Sequence, residues 1–201
     1  MVRNASSSTS LPTSRQVMLL VDFINPLRFD GAEALGPMAV NAAQAAARVK
    51  RRLRAEGVVA IYVNDNFGEW QSDVPRLLRE CRRSGGAAAK LAKLLAPDDD
   101  DLVVLKPRHS GFYQTPLELL LSDLKAKDLV IVGLSTDYCV QCTAMDAYVR
   151  GYRVWVPGDC TAAESPQRRD EALRWMKGAL KARISPAEPP DEAPRARRRS
   201  A

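Results

Sequence analysis

Three residues with reactive side chains share one local setting in this chain, each lying just past a short apolar run. Asp22 follows Val17-Met18-Leu19-Leu20-Val21, and Lys106 follows Leu102-Val103-Val104-Leu105. Cys139 comes shortly after Leu129-Val130-Ile131-Val132, beyond Gly133-Leu134-Ser135-Thr136-Asp137-Tyr138. Thr136 reads as the N-cap of a helix, which places Cys139 near the third helical position. Backbone N–H groups there favour negative charge, so the thiol is expected to ionise more readily than a free cysteine and to donate its lone pair to a carbonyl carbon. Taken singly, each residue has a plainer reading: a buried inert cysteine, a loop-capping aspartate, a solvated lysine. Together, at the carboxyl ends of strands in a parallel sheet, an acid, an amine and a thiol can converge on one point.

The elements that must position them alternate. Strands are predicted over 17–22, 58–63, 102–105, 129–133 and 152–156, with helices over 37–56, 116–125, 137–150 and 167–182 and helical pieces within 72–96. A sixth strand has only 182–185 as a late candidate. This order implies an α/β fold: a three-layer α/β/α sandwich with a mostly parallel sheet of about six strands. Residues 16–184 form the expected domain, between a serine-rich disordered segment at 1–15 and a Pro/Arg-rich disordered tail at 185–201.

Composition narrows the function. No run is long enough to span a membrane. Four cysteines without a secretory signal point to a reducing, cytoplasmic setting. The net charge of +6 invites a nucleic-acid reading. However, Lys50-Arg51-Arg52-Leu53-Arg54 closes a helix, where cations suit the dipole, and Arg195, Arg197, Arg198 and Arg199 sit near Glu188, Asp191 and Glu192. Neither cluster comes with a zinc knuckle or an aromatic platform, so no nucleic-acid partner is expected. No dinucleotide fingerprint or phosphate-binding lysine loop is present, so no cofactor is expected.

Four segments in order carry a family resemblance: Leu20-Val21-Asp22-Phe23-Ile24-Asn25-Pro26, Tyr62 through Trp70, Lys106-Pro107-Arg108-His109-Ser110-Gly111-Phe112 through Leu117, and Val132 through Val140. They resemble the isochorismatase-like cysteine hydrolases, and among these the metal-free branch rather than the nicotinamidases. The resemblance implies a catalytic triad of Asp22, Lys106 and Cys139. It also implies a non-proline cis peptide between Leu134 and Ser135 that turns the Ser135 and Cys139 N–H groups toward one oxyanion. The implied reaction cleaves a small amide or carbamoyl C–N bond through a thioester, with Asp22 moving protons and Lys106 stabilising charge. Phe23, Asn25, Trp70, Phe112 and Tyr138 flank these motifs and are expected to line the substrate pocket. Metal-dependent relatives place an aspartate and two histidines on their metal, whereas this chain reads Asn64-Asp65-Asn66 there and holds one histidine, His109. No metal is therefore expected. Family members are usually oligomers, so a homo-oligomer acting on a small molecule is implied.

Other readings compete. Cys139-Val140-Gln141-Cys142 has the spacing of a redox pair, although a thioredoxin-like motif follows the first strand of its domain rather than the fourth. A Cys-His dyad would have to use His109. Vinyl-ether cleavage of the isochorismatase type, or a non-catalytic scaffold, would need the retained cysteine explained away.

Overall fold

Short runs of aliphatic and β-branched residues build a sheet in which every pair of neighbours is parallel. The computed structural model describes residues 11–70 and 73–187; the expected disordered stretches up to residue 10 and from residue 188 lie outside the described residues. Strands β1 (Gln16–Val21), β2 (Val59–Asp65), β3 (Leu102–Lys106), β4 (Asp128–Leu134) and β5 (Arg153–Trp155) are ordered β3-β2-β1-β4-β5. The short β6 (Thr161–Ala162) pairs with the far end of β4, so β5 and β6 share one edge of that strand.

Side chains alternate between the two faces, as the two-residue period of a strand requires. Met18 and Leu20 of β1 pack with α1 (Ala32–Ala55), α2 (Val74–Ser84) and α3 (Gly86–Leu94). Val17, Leu19 and Val21 pack with α4 (Leu117–Asp123), α5 (Gln141–Val149) and α6 (Pro166–Leu180). The result is the expected three-layer sandwich. The alanines of α1 (Ala39, Ala42, Ala43, Ala46) are buried, and small side chains let this long helix lie close against the sheet.

Several boundaries differ from the sequence reading for physical reasons. Helix α1 starts at Ala32 with Pro37 inside it. Gly31, at φ 88, turns the chain into the helix, and Pro37 forfeits only one backbone bond in a helix held by its buried alanine face. The sixth strand is Thr161–Ala162, too short for periodicity to mark, while the 182–185 segment contributes a single bridge from Arg183 to Trp155. The 72–96 stretch holds two helices, of which α2 is capped by Asp73 accepting the Arg76 N–H at 2.6 Å. The packed body also reaches slightly past 16–184. Ser14 accepts the Val59 N–H at 3.1 Å, and the Ala187 N–H reaches Asp159 at 2.8 Å. Among the described residues, no helix is long and apolar enough to cross a membrane.

Candidate active site

The carboxyl ends of β1 to β4 meet at one point. Val21 lies opposite Gly133 in the β1–β4 register. Gly133 has φ 140, and a Cβ there would fall 2.0 Å from the Val21 carbonyl oxygen. Only glycine lets the two strand ends come this close. The chain then passes through a cis peptide between Leu134 and Ser135, as the resemblance implied, and enters a π-helical turn, Thr136–Val140, before α5. The Val140 N–H reaching back to the Ser135 carbonyl at 3.2 Å closes this wider turn.

Asp22 closes β1 at φ 51, a left-handed conformation uncommon for a residue with a side chain. Two bonds to β2 hold it: its N–H reaches the Val63 carbonyl at 3.1 Å, and its carboxylate accepts the Asp65 N–H at 2.7 Å. Lys106 ends β3 in register with Asp65 and has no exposed surface. Its Nζ lies 2.8 Å from the Asp22 carboxylate, 3.4 Å from Asp65 and 3.5 Å from the Cys139 sulfur. The Asp22 carboxylate also acts electrostatically on the Cys139 thiol. Nδ1 of His109 stands 3.7 Å from the same sulfur, and its ring packs against Tyr138 with centroids 5.7 Å apart.

Burial raises the Asp22 carboxyl above its ordinary value, with the Lys106 ammonium pulling against it. Burial also works against the ammonium of Lys106, yet Asp22, Cys139 and Asp65 together hold its pKa above the ordinary lysine value. Burial and then the Asp22 carboxylate push the Cys139 thiol up, outweighing the ammonium. The expectation of an easily ionised thiol is thus corrected. Thr136 is not its N-cap either: its hydroxyl is buried against Thr161 at 2.9 Å, and Ser135 occupies the capping position. Burial and the Asp22 carboxylate thus favour the neutral thiol, and the Lys106 ammonium opposes them.

Asp22, Asp65, Cys139 and His109 line a cavity of about 400 Å³, while Lys106 is fully buried behind them. Of the residues expected to line the cavity, Asn25 and Tyr138 do so, and Leu134 and Ser135 of the cis peptide line it as well. Phe23 and Phe112 do not, because both are buried in the hydrophobic layers on either side of the sheet. Trp70 does not either; it stands 83% exposed on the loop after β2. The aromatic wall comes instead from Phe29 and Phe67. Arg28, Asp65, His109 and Glu164 complete the charged and polar lining. Asp65 lies beyond the strand predicted over 58–63, whose apolar run stops at Val63. Strand pairing carries β2 two residues further. Cys142 faces a separate groove with Met145 and Trp175, and all four cysteines are free thiols.

The donor set does not suit a metal held by a histidine pair. Asn64 donates to the Ile24 carbonyl at 2.8 Å while its buried Oδ1 has no hydrogen-bond partner among the described residues, and Asn66 accepts the Gly68 N–H at 2.9 Å. Among the described residues, no three His, Cys, Asp or Glu side chains group to hold a metal ion.

The chain matches the isochorismatase domain over residues 16–188. It is 34% identical over 173 residues to the uncharacterized isochorismatase family protein YaaI of Bacillus subtilis, a match covering 86% of this chain and 94% of that protein. A stretch of 85 residues is 41% identical to the ureidoacrylate amidohydrolase RutB of Methylorubrum extorquens, covering 42% of this chain and 34% of that enzyme. Among solved structures, N-carbamoylsarcosine amidase from Thermoplasma acidophilum superposes with a TM-score of 0.66 at 25% identity, covering 89% of this chain and 99% of that one. The nicotinamidase of Staphylococcus aureus superposes with a TM-score of 0.65 at 21% identity, covering 88% and 100%, a likeness of fold alone.

Proposed function

Because the chain belongs to the isochorismatase-like hydrolase family, we propose that it is a metal-independent cysteine hydrolase of small amides or carbamoyl compounds, with Asp22, Lys106 and Cys139 as its catalytic residues. The observation that carries this reading is the buried Lys106 ammonium, 2.8 Å from Asp22 and 3.5 Å from the Cys139 sulfur, the latter two residues both lining the cavity. The amidohydrolase and amidase named among the relatives support C–N bond cleavage as the reaction class.

With a neutral thiol at rest, proton removal accompanies attack. Asp22, made more basic by burial, takes the Cys139 proton as the sulfur bonds to the substrate carbonyl carbon. The carbonyl electrons move onto oxygen, which the Ser135 and Cys139 N–H groups receive. Collapse breaks the C–N bond, and Asp22 returns the proton to the departing amine. Water then gives a proton to Asp22 and attacks the thioester. The acid is released and the sulfur recovers its proton. Lys106 keeps Asp22 ionised between these transfers and offsets charge on sulfur. A soluble cytoplasmic oligomer suits such an enzyme, and we include that in the proposal.

The test is ammonia release from a panel of small carboxamides and carbamoyl compounds. Activity is expected in the wild type, absent in Cys139→Ala and unchanged by exhaustive chelation with EDTA. Activity retained in Cys139→Ala, or lost to EDTA and restored by zinc, would contradict it.

A further inference from the structure

The acids around the cavity are all engaged. Asp22 and Asp65 contact Lys106, and Glu164 contacts Arg168. Glu69, on the loop after β2, and Glu80 of α2 are held by Arg76 at 2.7 and 3.4 Å. Arg28, on the loop between β1 and α1, lines the same cavity and has no ion-pair partner among the described residues. Around it, Phe29, Phe67 and Leu35 supply an apolar wall.

We propose that Arg28 determines specificity by binding a carboxylate on the substrate, so that the preferred substrates are small amides or carbamoyl compounds that also carry a carboxylate. This rests on the amide-hydrolase reading above. A guanidinium presents a planar pair of N–H donors that matches a carboxylate with two parallel bonds, and an apolar wall strengthens such a pair. The floor supplies the complementary half of the argument. Asp22 and Asp65 carry two negative charges against the single positive charge of Lys106, so a substrate carboxylate is repelled there. Attraction at Arg28 and repulsion at the floor both turn the neutral amide end toward Cys139. The cavity, at about 400 Å³, lies toward the small end of ligand pockets, which run roughly 300–1,000 Å³.

Two measurements test this, and the first does not depend on turnover. Iodoacetamide alkylation of Cys139 is followed with increasing succinate, with uncharged succinamide and sodium chloride at matched ionic strength as controls. Succinate is expected to protect Cys139 in the wild type, weakly in Arg28→Lys and not in Arg28→Met. Arg28 is exposed on a loop, so neither variant threatens the fold. Equal protection in the wild type and Arg28→Met, or none in either, overturns the proposal.

The second measurement compares ammonia release from succinamate and from its methyl ester. Arg28→Met is expected to raise KM for succinamate about ten- to a hundredfold more than for the ester, the scale of a lost charge-assisted bidentate contact. An equal change on both substrates overturns the assignment. If neither compound nor any other amide is hydrolysed while succinate still protects Cys139 through Arg28, the hydrolase reading fails and the carboxylate site stands.

Discussion

In the proposed reaction Asp22 must do two things that pull its pKa in opposite directions, and its surroundings bear on both. Burial makes it a better base, while Lys106 keeps it charged and ready to accept a proton. The Asp22→Asn variant separates them. Because the carboxylate is one of the groups pushing the Cys139 thiol up while Lys106 pulls it down, removing the charge should lower the thiol pKa and shift its alkylation profile to lower pH. Turnover should fall about a hundredfold or more, the scale of a lost general base. Faster alkylation with slower turnover marks a base acting on the thiol. Turnover near wild type would hand proton transfer to His109, 3.7 Å from the sulfur. That Asp22, Lys106 and Cys139 come together was legible because each lies beyond an apolar run that is recognisably a buried strand. The aromatic lining was not, because Trp70, Phe29 and Phe67 owe their positions to loop paths that no periodicity encodes.

At the scale of elements, the site depends on β1 and β4 ending side by side, and Gly133 is the residue that permits it. A methyl group at Gly133 meets the Val21 carbonyl oxygen, an atom of the backbone that cannot swing aside. Gly133→Ala is therefore expected to cost about 2 kcal/mol or more in urea unfolding and to impair turnover beyond its effect on stability. Gly151→Ala is the control: its φ is 83, but nothing lies within 4 Å of the added carbon, so it should cost only about 1 kcal/mol. A Gly133→Ala protein no less stable than Gly151→Ala would mean the strands tolerate separation. The strands and the alternation of elements could be read from aliphatic runs. The two residues of β6, the extension of β2 to Asp65 and the π-helical turn could not, since pairing and backbone closure with distant segments create them.

Across the whole molecule, two buried lysines tie separate parts of the fold together. Lys106 joins β3 to β1, and Lys50 of α1 bonds Tyr62 on β2 at 3.2 Å and also Asp98 and Asp101 in the loop before β3. Burial opposes the charge on each, yet their acidic partners raise both pKa values above the ordinary 10.5. Burial also pushes Tyr62 up to about 12. The folded chain thus holds these protons more tightly than the unfolded chain. Their stabilisation is whole below the ordinary values and is lost as pH rises through the folded-state ones. The melting temperature should fall as pH climbs past the ordinary lysine value, and Lys106→Met should show a shallower alkaline decline from a lower start. An unchanged alkaline slope in that variant would remove Lys106 from the effect.

The claim on which the rest depends is that Cys139 becomes covalently acylated. Rapid acid quenching during turnover of an amide found by ammonia release, followed by intact mass and peptide mapping, addresses it directly. The expected result is a mass increase equal to the substrate's acyl group, confined to the peptide carrying Cys139, absent in Cys139→Ala and accumulating more in variants that slow thioester hydrolysis. Steady turnover with an unmodified Cys139, or an acyl group carried by Cys142 with Cys139→Ala still active, would contradict it.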